Sequence, residues 1–106
     1  MQLRVADRLV LLNSIPATGD ITTLKIVRKL REQLSFTEKE HSELKFKEEA
    51  SHVFWNTEAD TPKDINIGPK AAQIVSDALQ LLNKQKKLTE DHLPVWEMFC
   101  SENEEE

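Results

Sequence analysis

Apolar residues recur along this chain in a helical rhythm at both ends and in a strand-like alternation in the middle. Between Val5 and Ile15, the residues Val5, Ala6, Leu9, Val10, Leu11, Leu12 and Ile15 cover a wide helical face, with Asp7 and Arg8 placed outside it. So broad an apolar circumference predicts a helix central to the core. Pro16 and Gly19 end it and open a short loop. Asp20 is an N-cap residue for a second helix, whose stripe Ile21, Leu24, Val27, Leu30 and Leu34 keeps a period of about 3.6, widened by Ile26. Lys25, Arg28, Lys29 and Glu32 fall on the opposite side, Arg28 and Glu32 at the spacing of a helical ion pair. Thr37 followed by Glu40 is a capping box for a short third helix reaching Leu44.

The period then drops to two. Leu44 and Phe46 alternate with Lys45 and Lys47, and Val53 and Trp55 alternate with His52 and Phe54. Two such runs around Glu49–Ser51 predict a β-hairpin, although no Asn-Gly or Asp-Gly fixes its turn. Residues 56–63 are polar and contain Pro62, as a loop would, and Asp64–Ile67 alternates again as a third short strand. Gly68-Pro69 leads into a fourth helix with the stripe Ala71, Ile74, Val75, Ala78, Leu81 and Leu82. Lys84, Lys86 and Lys87 stand at its C-terminal end, where the helix dipole favours positive charge. A last helix covers the stretch to Phe99, with Asp91 as the favoured cap, because Pro94 then breaks no hydrogen bond.

This order predicts an α+β fold with a helical core of about five helices packed on a small two- or three-stranded antiparallel sheet. Leu9, Leu12, Leu24, Val27, Leu30, Ile74, Ala78 and Leu81 are its expected core. No parallel βαβ unit is present, which argues against the nucleotide-binding α/β folds. The 106 residues suit one domain, 1–100, followed by an acidic tail, 101–106, expected to be disordered and dispensable.

Charge refines the picture once it is divided. The chain has 19 acidic and 14 basic residues, a formal net charge of −5, of which the tail alone holds −4. Residues 1–36 sum to +3, residues 37–62 to −4, and residues 63–100 balance. No run approaches the ~18 apolar residues of a membrane span. With a single cysteine and an apolar run at Leu9–Leu12 too short for a secretory signal, the expected setting is the cytoplasm.

Candidate chemistry is sparse. His41, His52 and His92 lie on three different predicted elements, with none of the spacings of a helical metal site. Cys100 neighbours Glu102 and Glu104–Glu106, which would oppose thiolate formation. Glu38, Glu40 and Glu43, like Glu48 and Glu49, resemble solvated faces more than an acid–base pair, and no phosphate-cradling or nucleophile motif occurs. The residues therefore predict no catalytic site, no cofactor and no metal.

The helix–helix–helix–hairpin order of residues 4–56 matches a winged helix, a DNA-binding arrangement. Its reading helix would be the acidic Thr37–Glu43, and its wing would carry Glu48 and Glu49. Close like charges oppose phosphate binding, so nucleic acid is the second choice. Lys25, Arg28, Lys29 and Arg31 on the second helix form a face for a protein partner or, failing that, for phosphates. Phe54 joins them as a candidate contact. A hairpin burying Val53 and Trp55 points Phe54 the other way, towards packed helices, a partner or a second copy.

The strings Leu24-Lys25-Ile26-Val27-Arg28-Lys29-Leu30, Phe54-Trp55-Asn56 and Lys87-Leu88-Thr89-Glu90-Asp91-His92-Leu93 resemble small uncharacterised proteins encoded by bacteriophages and prophages. The resemblance spans most of residues 3–99 and carries no catalytic or binding positions. It implies a compact accessory or regulatory protein that contacts a host or phage component. The expected function is thus a non-enzymatic protein-interaction or regulatory role, with a winged-helix-like nucleic-acid regulator as the alternative.

Overall fold

Five α-helices and two short two-stranded sheets make up the residues described by the computed structural model, 1–50 and 52–100. The architecture is α+β. The expected tail, 101–106, and Ser51 lie outside the described residues.

Helix α1 (Val5–Ser14) starts where the Asp7 carboxylate accepts the Arg4 backbone N–H at 3.1 Å. Helix α2 (Ile21–Leu34) is capped by Asp20, which accepts the Thr23 N–H at 2.7 Å. That bond, with one from the Thr23 side chain, holds the Asp20 carboxyl below its ordinary range. Helix α3 (Glu38–Leu44) has the predicted capping box, with Thr37 and Glu40 each accepting the other's backbone N–H. It ends at Lys45, whose φ of 50° turns the chain out of the helix. Helix α4 (Pro69–Lys84) begins with Pro69 in its first turn, as predicted. Before helix α5 (Leu93–Cys100) comes a 3-10 turn, Glu90–His92, capped by Thr89 instead of Asp91. The His92 Nδ1 accepts the Thr89 N–H at 3.0 Å, and Pro94 in the first turn of α5 still breaks no helical bond.

The strands decide between the expected forms of the sheet. β2 (Lys47–Glu49) and β3 (His52–Phe54) form the hairpin, in the register Lys47↔Phe54, Glu48↔Val53, Glu49↔His52. The two-stranded form of the expected sheet is the one present; of the optional third strand at Asp64–Ile67 only Asp64 is in a strand, and that strand does not join the hairpin. β4 (Lys63–Asp64) pairs instead with β1 (Gln2–Leu3), a strand the alternation did not signal because it is two residues long. That pairing carries Leu3 and Ile65 into the core, where both are buried.

Leu11, Ile15, Val27, Leu30, Leu34, Val75, Leu79, Val95 and Cys100 complete the main apolar cluster at the meeting of α1, α2, α4 and α5. Of the expected core, Val27 and Leu30 are buried, and Leu12 and Ile74 pack against it. Leu9, Leu24 and Ala78 are half-buried, and Leu81 is 55% exposed. α4 turns Val75 and Leu79 inward, and a residue two positions after Leu79 points elsewhere at about 100° per residue.

Arg8 reverses the reading of α1. It is 2% exposed, on the stripe shared with Val5, Leu11 and Ile15. Its Nε donates to the Leu34 carbonyl at 3.1 Å and its Nη2 to the Ser35 carbonyl at 2.7 Å, satisfying the open C-terminal end of α2. Both terminal nitrogens donate to Glu40, and the guanidinium lies 3.9 Å over the Phe36 ring. Asp7, also placed outside by the pattern, is buried as well.

Candidate functional site

The hairpin is tied to the body by one face and free on the other. Side chains alternate along each strand, so Phe46, Glu48, Val53 and Trp55 share a face, and Lys47, Glu49, His52 and Phe54 share the opposite one. At the base of the first face, Phe46 meets the Phe36 ring edge-on at 4.9 Å, His41 at 5.5 Å and Trp55 at 6.4 Å. Trp55 Nε1 donates to Asp60 at 3.2 Å, and the other Asp60 oxygen accepts the Val5 N–H at 3.0 Å. One carboxylate thereby joins the hairpin to the start of α1.

Beyond that anchor the strands stand in solvent. All six strand residues are exposed, Phe54 at 53% and Val53 at 41%. The expected burial of Val53 on the hairpin does not occur, while Trp55 is half-buried. Each strand also has one edge without a strand partner among the described residues, an open row of backbone donors and acceptors. Lys47 and Glu49 pair at 3.1 Å on the strand itself, while Glu48 has no ion pair among the described residues.

The basic residues of α2 divide three ways. Arg31 reaches the Leu12 carbonyl of α1 at 3.4 Å and so belongs partly to the α1–α2 packing. Lys25 and Arg28 face solvent, and the expected Arg28–Glu32 ion pair does not form among the described residues. Lys29 lines a cleft of about 420 Å³ between α2 and the start of α4. Ile26, Leu30 and Ala71 supply apolar walls to this cleft, with Lys70 at its rim. Gln33 closes one end by donating to the Asn66 carbonyl at 3.1 Å. No acidic residue lines it.

The candidate chemical groups stay apart. Among the described residues no three His, Cys, Asp or Glu side chains come together as a metal-binding group. Cys100 is fully buried, its Sγ 3.5 Å from the Ser76 hydroxyl. Glu40, read as part of a solvated run, turns inward to Arg8. That hydrogen-bonded guanidinium, with the Thr37 N–H and the Lys63 ammonium at 3.5 Å, lowers its carboxyl to about 2 against the opposing effect of burial.

Comparison with known proteins found no matching family model, no matching curated protein and no matching solved structure. The geometry of the chain is therefore the ground for assigning a role. Among the described residues no helix is long and apolar enough to cross a membrane.

Two features escaped the sequence reading. Arg8 was legible in part, since Val5, Arg8 and Leu11 keep a three-residue spacing on one stripe. The cleft was not, because it joins residues of α2 to residues about 40 positions later, and no local pattern reports that approach.

Proposed function

We propose that this chain is a non-enzymatic protein-interaction domain whose principal contact element is the β2–β3 hairpin. The observation that carries this is the projection of Phe54 and Val53 from a two-stranded sheet with open edges, on a base held by Phe46, Trp55 and Asp60. An aromatic side chain on a braced, protruding element is the kind of anchor that dominates binding energy in protein interfaces. Lys25, Arg28 and Lys29, unpaired among the described residues, add a cationic surface that steers acidic partners. The likeness to phage proteins supports an accessory or regulatory setting, and the single cysteine supports a cytoplasmic one.

The winged-helix alternative draws on one observation, the order α1, α2, α3, hairpin. Its electrostatics oppose it: the exposed residues of α3 include Glu38 and Glu43, and strand β2 of the hairpin carries Glu48 and Glu49. One experiment separates the two. The wild type and Phe54→Asp are used to capture proteins from a lysate of the source cells, and duplex DNA is titrated in parallel at ~150 mM salt. Capture lost with Phe54→Asp, with duplex left free at micromolar protein, fits the interaction domain. If the four cations of α2 bound phosphates, duplex affinity would fall with salt at a log–log slope of about −3.6 and be lost with Lys25→Glu and Lys29→Glu. That result would replace the interaction reading with the alternative.

A further inference from the structure

Helix α5 carries the chain towards the α2–α4 cleft just before its most acidic stretch begins. α5 packs on α4, to which residues 85–92 join it. Its last residue, Cys100, has its Sγ 3.5 Å from the Ser76 hydroxyl in the middle of α4. α5 therefore runs back along α4, and at Cys100 the chain is heading for the N-terminal end of α4. There Gly68, Pro69, Lys70 and Ala71 line the cleft of about 420 Å³, and Lys29 of α2 lines its other side. The sequence continues as Ser101-Glu102-Asn103-Glu104-Glu105-Glu106, with four acidic residues and no basic one.

Reach and charge both fit. Lys70 stands about 9 Å before Ser76 along the helix axis, while residues 101–106 span about 20 Å when extended. The cleft offers Lys29, Lys70 and the positive end of the α4 dipole, and no acidic residue lines it. The exit from α5 is unfavourable for carboxylates, being the negative end of that helix, with Asp77 next to Ser76 on α4. Lys84, Lys86 and Lys87 stand at the other end of α4, behind the direction in which α5 runs.

We infer that residues 101–106 lie across the α2–α4 cleft of their own chain, with their carboxylates on Lys29 and Lys70. Tethering selects this occupant over a separate acidic molecule, since a short link holds its effective concentration on the order of millimolar. Exposed ion pairs contribute little to stability and weaken with salt, so the segment stays dispensable for the fold. Its consequence is for binding: it covers cations that would otherwise meet an acidic partner, which then has to displace it. The inference does not depend on the hairpin as a contact element.

A nitroxide spin label on Glu105→Cys tests this through the broadening of backbone amide NMR signals. Cys100 is buried, and the intact mass checks that only one site takes the label. At ~0.1 M salt the amides of Lys29, Gly68, Lys70 and Ala71 should broaden strongly, and at ~1 M salt the broadening should be lost. Lys29→Glu with Lys70→Glu should remove it at low salt too. Both substituted side chains are exposed, and unchanged core amide shifts verify the fold of that variant. A mixture of spin-labelled chains with isotope-labelled chains should show no broadening, because the contact stays within one chain. A chain ending at Cys100 should bind a hexaglutamate peptide at the same amides, and more tightly than the full chain does.

Broadening strongest at Lys84, Lys86 and Lys87, or confined to α5, overturns the inference. So does broadening that survives reversal of the two lysines, or that passes between chains in the mixture and so makes the occupant a second copy. Equal hexaglutamate binding by the full and shortened chains overturns the competition. None of these outcomes touches the hairpin as a contact element for another protein, which the capture experiment with Phe54→Asp tests separately.

Discussion

At Arg8 the guanidinium meets the last carbonyls of α2, the Glu40 carboxylate of α3 and the Phe36 ring at once. A buried ion pair of this kind is destabilising when one half is removed, because the other half is left charged and poorly solvated. Arg8→Met should therefore lower the unfolding free energy by about 3–5 kcal/mol, measured by urea denaturation at neutral pH. Glu40 supplies a pH signature. Its folded pKa lies below its unfolded value, so its contribution is complete above about 4.5 and is lost as pH falls through about 2. Denaturation of the wild type and of Glu40→Gln between pH 7 and pH 2 should show a stability difference that shrinks as the solution becomes acidic. A constant difference would mean that Glu40 acts through packing alone. The core gives a simpler expectation: Leu30→Ala and Leu79→Ala should each cost about 2–5 kcal/mol, while Leu81→Ala should change stability by less than about 0.5 kcal/mol.

At the scale of the element, the hairpin divides into a base that holds and a tip that presents. Trp55→Phe keeps most of the ring packing on Phe46 and removes the bond to Asp60, so it should cost about 1 kcal/mol. Phe54→Ser and Val53→Ser, at exposed positions, should leave the melting temperature nearly unchanged while weakening any complex the hairpin makes. A melting temperature that drops sharply with Phe54→Ser would show that Phe54 packs against its own chain. The helices were legible at this scale, since Asp20 and the Thr37–Glu40 box cap α2 and α3 where their sequence signals stand. Start signals are local chemistry: a side-chain oxygen and a backbone N–H two or three residues on need no distant partner. The strands were less legible. β4 pairs with β1 across some 60 residues, and short alternating runs do not say which edge they join.

Across the whole molecule, the uneven charge of the chain becomes a spatial arrangement. The basic front places Lys25, Arg28 and Lys29 on the outer side of α2, and the acidic middle builds α3 and the hairpin. A duplex would meet carboxylates wherever a winged helix offers its reading helix and wing. No gel shift is therefore expected at micromolar protein and ~150 mM salt. A protein partner held by the hairpin should instead depend on a few residues, with Phe54 foremost, and only mildly on salt.

What the sequence determined by itself follows from contacts within a few residues: five helices, three of the residues that cap or open them (Asp20, Thr37 and Pro69), the hairpin, and the sign of charge along the chain. The tertiary structure decided which residue of each broad stripe faces inward. On α1 and α4 apolar residues cover so much of the circumference that several rotations bury similar area, and only packing against neighbours chose Leu11 over Leu9 and Leu79 over Leu81. The same packing turned Arg8 from a solvent residue into a buried one, because the carbonyl end of α2 and the Glu40 carboxylate arrive beside it from more than 25 residues away. Polar pairing at that range leaves no trace in periodicity, which records only how a segment divides between water and core.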